Sequence, residues 1–445
     1  LGVRGEMYSP GQYENALEEN INAGGTDMKV NKWTLGLAAV GLVSLPSGVQ
    51  AEEQVNPMLT ALSSTTISGY VNTSAHWNVG SGNANAPGYA FNDGKQDGFN
   101  LDVVKLSISR PLDEAQWAAG YQVDLLFGDD ANQLATQSTG EGDDFGIQQA
   151  YVALRAPVGN GLDFKVGVWD TIVGYEVFDA GSNPNYTRSW GYSIEPTTHT
   201  GVLMSYQFSE ILSMAVGVAN TFGPTINEKT WESGESESYK TYMGSVALTA
   251  PDEMGWLAGS TLYAGIINGF DSGEGQNKTF FYGGATISTP IETVKLGVAY
   301  DYASLHDDAA GTGGADSTGF DPDDQGKHAY AIAGYVSFQA TEKLSLHGRA
   351  DYLKISQGSA LDLRSPDYAG GDTFWRQSGV AEKVFSLTGT IQYDLWANVL
   401  SRLEVRWDHQ AGGHPGDAFG GEDGADDFGS TKDSVLIAAN IIYQF

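Results

Sequence analysis

From residue 66 to the last residue the chain is a succession of period-two segments, and the connections between them alternate between short and long. Within each segment apolar side chains fall on every second position, the pattern of a strand with one apolar and one polar face. Residues 66–78 put Ile67, Gly69, Val71, Ala75 and Trp77 on one side and Ser68, Tyr70, Asn72, Ser74 and His76 on the other. Residues 344–352 set Leu344, Leu346, Gly348, Ala350 and Tyr352 against His347, Arg349 and Asp351; residues 401–408 set Leu403, Val405 and Trp407 against Arg402, Glu404, Arg406 and Asp408. Short connections fall near 111–116, 157–161, 209–210, 251–255, 290–291, 341–342 and 397–398. Long ones, rich in Gly, Asp, Asn and Ser, fall near 79–98, 128–145, 172–197, 224–238, 268–277, 304–326, 356–381 and 410–431. Sixteen strands with long connections at one end only predict an all-β, antiparallel up-and-down transmembrane β-barrel with tight periplasmic turns and long outer loops. A soluble sandwich has no reason to sort its connections in this way.

The last strand, 434–445, carries no Gly, Pro or charge and ends on an aromatic residue. Val435, Ile437, Ala439, Ile441, Tyr443 and Phe445 form its apolar face, predicted to meet lipid, with Tyr443 and Phe445 as a terminal signal to a barrel-assembly machinery. Two segments are less regular. The parity of 99–110 switches near Val103–Lys105, which predicts a bulge, and 256–267, counted among the sixteen strands, is apolar on both faces and could be read either way.

After residue 51 no apolar run is long enough for a membrane helix, so only a closed barrel would satisfy the backbone in lipid. From Met28 the chain reads as a signal peptide: Lys29 and Lys32, a short apolar core at 33–43, and Val49 and Ala51 before a cleavage site. The expected organisation is an upstream extension at 1–27, a signal peptide at 28–51, a periplasmic lead-in at 52–64 and the barrel at 65–445. The absence of Cys excludes a disulfide framework and Cys-based metal sites. A formal net charge of −32 argues against nucleic acid, which requires clustered cations. Seven His are scattered without ligand spacing, and no catalytic set stands out, so no enzyme is expected.

The third long loop, 172–197, differs from the others. It is rich in aromatics, with Tyr175, Phe178, Tyr186, Trp190 and Tyr192 around Arg188. A loop with that much apolar surface should pack on something. It follows the fifth strand and is expected to fold into the lumen as a constriction, with Glu176, Asp179, Asn183, Tyr186 and Arg188 as its pore-facing set; packing over the rim or against a neighbouring subunit is the competing arrangement. A wet lumen is expected to expose Asp163, Lys165, His199, Lys295, Arg349, Asp351, Arg402, Glu404, Arg406 and Asp408 to water, where charge costs little.

The block Asn183-Pro-Asn-Tyr-Thr-Arg-Ser189, followed by Pro196-Thr-Thr-His199-Thr200-Gly201, resembles that of the OmpL-like β-barrel porin family. Gly98-Phe-Asn-Leu-Asp102 and Gln149-Ala-Tyr151 resemble that family's first hairpins, so the likeness covers about 65–445. It implies an outer-membrane porin-like barrel and assigns no catalytic residue.

The expected function is a porin for passive diffusion of small hydrophilic solutes or ions, in the outer membrane of a Gram-negative-type bacterium, with outer-membrane lipid and lipopolysaccharide as surroundings. The competing function is a structural or adhesive barrel with a closed lumen. Two outer loops are strongly acidic, and Asp321, Asp323 and Asp324 are the candidate ligands for Ca²⁺ or Mg²⁺; no EF-hand spacing is present, and a solvated, self-repelling loop is the commoner meaning of such a run. No other cofactor is expected. Small outward residues such as Gly348 and Ala350 permit a homotrimer.

Overall fold

The computed structural model describes residues 65–80, 97–113, 117–133, 145–229, 239–270, 277–306, 327–355, 382–412 and 431–445, together with 115 and 419. The expected extension, signal peptide and lead-in lie outside the described residues, as do Asp321, Asp323 and Asp324. Sixteen strands follow one another: β1 Thr66–Val79, β2 Gly98–Arg110, β3 Ala119–Phe127, β4 Phe145–Ala156, β5 Leu162–Asp170, β6 Thr198–Gln207, β7 Leu212–Ala219, β8 Thr241–Thr249, β9 Thr261–Phe270, β10 Asn277–Ser288, β11 Val294–His306, β12 Lys327–Gln339, β13 Leu344–Ile355, β14 Lys383–Trp396, β15 Val399–Gln410 and β16 Asp433–Gln444.

Each strand pairs with its sequence neighbours, antiparallel, and β1 pairs with β16 to close the ring. Closure leaves no sheet edge and gives every strand two hydrogen-bonded neighbours, which lipid demands. The seam runs from Tyr70 opposite Gln444 to Val79 opposite Val435. It is extended by one residue: Phe445 N–H donates to Gly69 O, and Gly69 N–H to Phe445 O, both at 3.0 Å.

The faces follow the alternation. On β16, Leu436, Ala438 and Ile442 are buried, whereas Ile437, Ile441, Tyr443 and Phe445 are exposed on the outside of the barrel. Outward aromatics gather at both ends. Trp77–Phe99, Phe281–Tyr302, Tyr300–Tyr330–Tyr352 and Phe385–Trp407 make ring contacts at the long-loop end. Tyr206–Phe208, Trp396, Tyr443 and Phe445 lie at the short-turn end. Two such belts bounding an apolar band are what a barrel meets at the two faces of a membrane.

The bulge expected in β2 is present. Asn72 pairs with Val103 and Thr73 with Leu101, so Asp102 is the extra residue. Asp102 and Val103 are both buried, which explains the switch in parity. A second bulge in β4 leaves Gln148 unopposed, between Gln149 opposite Asp124 and Ile147 opposite Leu125. One segment departs from expectation. Residues 256–260 are not strand: Asp252–Leu257 is a 3-10 helix, Gly255 inside it takes φ 61°, and β9 begins only at Thr261. The apolar residues there, Met254 and Trp256, are exposed at the turn end rather than paired in the sheet.

A lumen-filling loop as the candidate functional site

The connection from β5 to β6, residues 171–197 and here termed L3, does not project beyond the rim. Its base is closed by Thr171 N–H donating to Thr197 O at 2.7 Å, and most of its interior residues are buried. Two short 3-10 turns, Ala180–Ser182 and Tyr192–Ile194, shape it. Asn183 braces one limb: its Oδ1 accepts from Val177 N–H at 2.8 Å, and its Nδ2 donates to Val177 O at 2.6 Å and Asp179 O at 3.1 Å. Arg188 braces the other, donating to Tyr186 O at 2.9 Å and Phe178 O at 2.7 Å with Tyr192 beneath its guanidinium. Arg188 is only 2 % exposed, so it holds the loop's own shape and does not face a pore. The same correction applies to Glu176, Asn183 and Tyr186, all buried; of the five expected pore-facing residues only Asp179 keeps a part-exposed side chain.

The charged inward faces of β13 and β15 explain why L3 stays inside. Arg349 Nη1 donates to Glu176 Oε1 at 2.8 Å and Thr187 O at 2.7 Å; its Nη2 reaches Thr187 Oγ1 and Thr388 Oγ1, and its Nε reaches Asp351. Arg402 donates to Ala180 O at 2.8 Å and Asn183 O at 2.5 Å. Glu404 accepts the backbone N–H of Tyr186 at 2.6 Å and of Thr187 at 3.0 Å, and the Thr187 and Thr390 hydroxyls. Arg406 bonds Arg188 O and pairs with Asp408 at 2.9 Å. Asp351 takes the Trp190 N–H at 3.0 Å, and Asp408 takes the Trp190 indole N–H at 2.8 Å.

These six wall residues are at most 4 % exposed. The expectation that they line a wet lumen is therefore corrected. A buried charge is tolerable when it is paired and multiply hydrogen-bonded, and L3 supplies those partners through its own amides, carbonyls and Glu176.

Apolar packing complements the polar clamp. Ile172, Val173, Tyr186, Trp190 and Ile194 of L3 share a core with Tyr263, Ile267, Phe280, Tyr282, Tyr335 and Leu353 of the wall. Inward Ala329, Ala331 and Ala333 on β12 make room for it. Tyr263 donates to Ile172 O at 2.5 Å. Tyr175 stacks on Tyr335 at 4.2 Å, and a Cβ on Gly297 would overlap the Tyr175 hydroxyl. A Gly297→Val protein is expected to lose about 1–3 kcal/mol to this overpacking. Urea unfolding measures it, and an unchanged midpoint would show that Tyr175 does not sit there.

Beside this seat, burial and the Asp301 carboxylate facing it push the Glu195 carboxyl well above its ordinary range. Glu195 of L3 and Asp301 of β11 are both buried, and the Asp301 carboxylate abuts Gly191 of L3, where a Cβ would meet it. His199 is buried at the foot of L3, 3.1 Å from Thr171 Oγ1, and Lys295 is half-buried on β11.

The inner wall of β3–β5 is different. Gln122, Gln149, Tyr151, Arg155, Asp163, Lys165 and Asp170 keep partial exposure. Asp163 and Lys165 were expected there. Arg155 grips Asp163 at 2.6 and 2.7 Å, and Lys165 Nζ lies 4.6 Å from the Tyr151 ring centroid. Lys105, Asp124, Gln148 and Asp170 were not among the residues expected to line the lumen. Lys105 Nζ lies 2.8 Å from Asp179 of L3 and 3.4 Å from Asp124, while Gln148 Nε2 donates to Asp170 at 3.0 and 3.1 Å. Both bulges, on β2 and β4, lie among these residues and break the simple alternation there. The parity break in β2 was the signal available.

With this geometry established, the chain matches the family described as Putative beta-barrel porin-2, OmpL-like, over residues 64–445. The chain belongs to this family. This OmpL-like family member is thus an outer-membrane β-barrel porin. No curated protein matches it in sequence. Its fold is similar to solved outer-membrane structures. The channel DcaP of Acinetobacter baumannii is 13 % identical, with 86 % of this chain and 97 % of that one covered and a TM-score of 0.52. The anion-selective porin from Comamonas acidovorans is 13 % identical over 86 % and 99 % at TM-score 0.52. A trimer form of Vibrio cholerae OmpT is 11 % identical over 86 % and 99 % at TM-score 0.50. At such identities the likeness concerns the fold.

Proposed function

We propose that this porin passes small hydrophilic solutes by passive diffusion along the strip of lumen between L3 and the inner wall of β3–β5. One observation carries the route: L3 is bonded to β2 and to the wall from β9 round to β15, while polar side chains of β3–β5 remain part-exposed. Fixed charges along a narrow passage set which ions accumulate there. The part-exposed charges of the strip are Arg155 and Lys165 against Asp163, Asp170 and Asp179, one carboxylate more than cations, which supports a slight cation preference.

The chain's lack of cysteine makes the route directly testable. Gln149→Cys and Thr388→Cys proteins are placed in planar bilayers and treated with a cationic thiol reagent. Conductance is expected to fall by roughly half or more for Gln149→Cys and to stay unchanged for Thr388→Cys, which L3 covers. A channel indifferent to modification at Gln149 overturns the route, and a barrel that inserts but never conducts overturns diffusion. Reversal potentials under a salt gradient check the sign of the selectivity; an anion preference would contradict it.

Family membership favours this function over a closed adhesive barrel. The chain is read as carrying out no chemistry of its own, which turnover on lipid or peptide substrates would refute. A homotrimer is part of the proposal, supported by the trimeric form of the OmpT relative in fold, and its mass in detergent decides the matter.

A further inference from the structure

Lipid-facing strand positions are apolar with few exceptions. Among the described strand residues, the lysines in the outward register are Lys354 on β13 and Lys383 on β14, and they stand directly opposite each other across the two strands. Like charges in that position repel. Lys354 Nζ lies 5.9 Å from the centroid of the outward Tyr330, and the Lys383 stem lies beside Gly412. Neither lysine reaches a carboxylate among the described residues. The outward acid Asp433 is already engaged by His409 at 2.8 Å and by the Trp407 indole at 2.9 Å. A chain of net charge −32 thus sets two adjacent cations at the level of its loop-end aromatic belt.

Beneath them, on the same part of the sheet, the outer surface is a shallow trough. Gly334 on β12 and Gly389 on β14 have nothing within 4 Å of where a Cβ would stand, and Gly348 and Ala350 lie between them on β13. Exposed Ile332, Val336, Leu387 and Ile391 bound the trough.

We propose that Lys354 and Lys383 bind the phosphate of a phosphorylated, acylated lipid of the outer leaflet, whose chain lies in the Gly334–Gly348–Gly389 trough. The headgroup relieves the lysine–lysine repulsion by charge complementarity. Tyr330, Tyr352 and Phe385 sit at the depth where headgroup gives way to acyl chain. The trough would also admit a neighbouring copy of the barrel, but an apolar subunit contact gives no counter-charge to two lysines. The proposal rests on the outer-membrane location and is independent of whether the lumen conducts.

Purified protein in detergent is titrated with bisphosphorylated lipid A and with the same lipid stripped of phosphate, and retained lipid is counted by native mass spectrometry. The wild type should hold bisphosphorylated lipid A, and a Lys354→Gln/Lys383→Gln protein should bind it roughly 30-fold more weakly. Lys354→Arg/Lys383→Arg should keep it, since guanidinium also binds phosphate. The substitutions lie on the lipid-facing rim, and heat-modifiable gel migration verifies that each variant is folded. Equal retention by the Gln variant, or equal retention of the dephosphorylated lipid, overturns the proposal. So does a Gln variant that changes oligomeric state while keeping its lipid.

Discussion

Replacing Arg349 with Met is expected to release L3 from the wall, raising single-channel conductance and lowering stability by about 3–5 kcal/mol. Arg349 links Glu176, Thr187, Thr388 and Asp351 in one fully buried cluster. Met fills a similar volume but donates nothing, so the Glu176 and Asp351 carboxylates lose their shared cation in a dry setting. A carboxylate stranded in that way draws in water, and the route for water is the seam between L3 and β13. Adding Glu176→Gln to the Met variant should recover part of the stability, because it removes the stranded charge. Conductance traces and urea midpoints measured together test both halves. An unchanged midpoint and unchanged conductance would mean that Arg349 does not hold the loop.

Deleting Phe445 is expected to reduce, several-fold, the amount of protein reaching the outer membrane, with little effect on the conductance of channels that do assemble. Phe445 makes the last pair of backbone hydrogen bonds across the β1–β16 seam, and its ring covers Gly69. Its side chain is exposed on the outside of the barrel, away from the strip along β3–β5, so the passage itself should be spared. Membrane fractionation and single-channel recording separate the two effects. Normal abundance with altered conductance would assign Phe445 to the pore rather than to closure.

The strands were legible because lipid imposes a strict rule on one face. Val, Leu, Ile and aromatics must alternate outward, and the fold has little freedom to do otherwise. The inward face is under no such rule. Arg402, Glu404, Arg406 and Asp408 look the same in sequence whether they meet water or meet a loop folded back on them. The feature that could have separated the two is sign alternation along one face: Arg–Glu–Arg–Asp and Arg349–Asp351 neutralise their own neighbours, as buried networks do. The Ala329–Ala331–Ala333 row on β12 was a second trace, since small inward residues leave room for something else. The lumenal placement of L3 could be read from its aromatic content. The inward burial of Arg188 could not, because its partners are carbonyl groups of L3 itself, which no side-chain pattern reports.

The clamp also constrains the order of assembly. L3 lies at 171–197, whereas its charged anchors lie on β13 and β15, between 349 and 408. Contacts so distant in sequence form late and slowly, because a long segment must be ordered before they can reward it. Until β13–β15 are in place, an aromatic-rich loop remains without its seat, and once β1 meets β16 the ring leaves little room for it to enter. The loop must therefore be inside a half-built sheet while that sheet is still open, so that closing the seam and narrowing the channel become a single event.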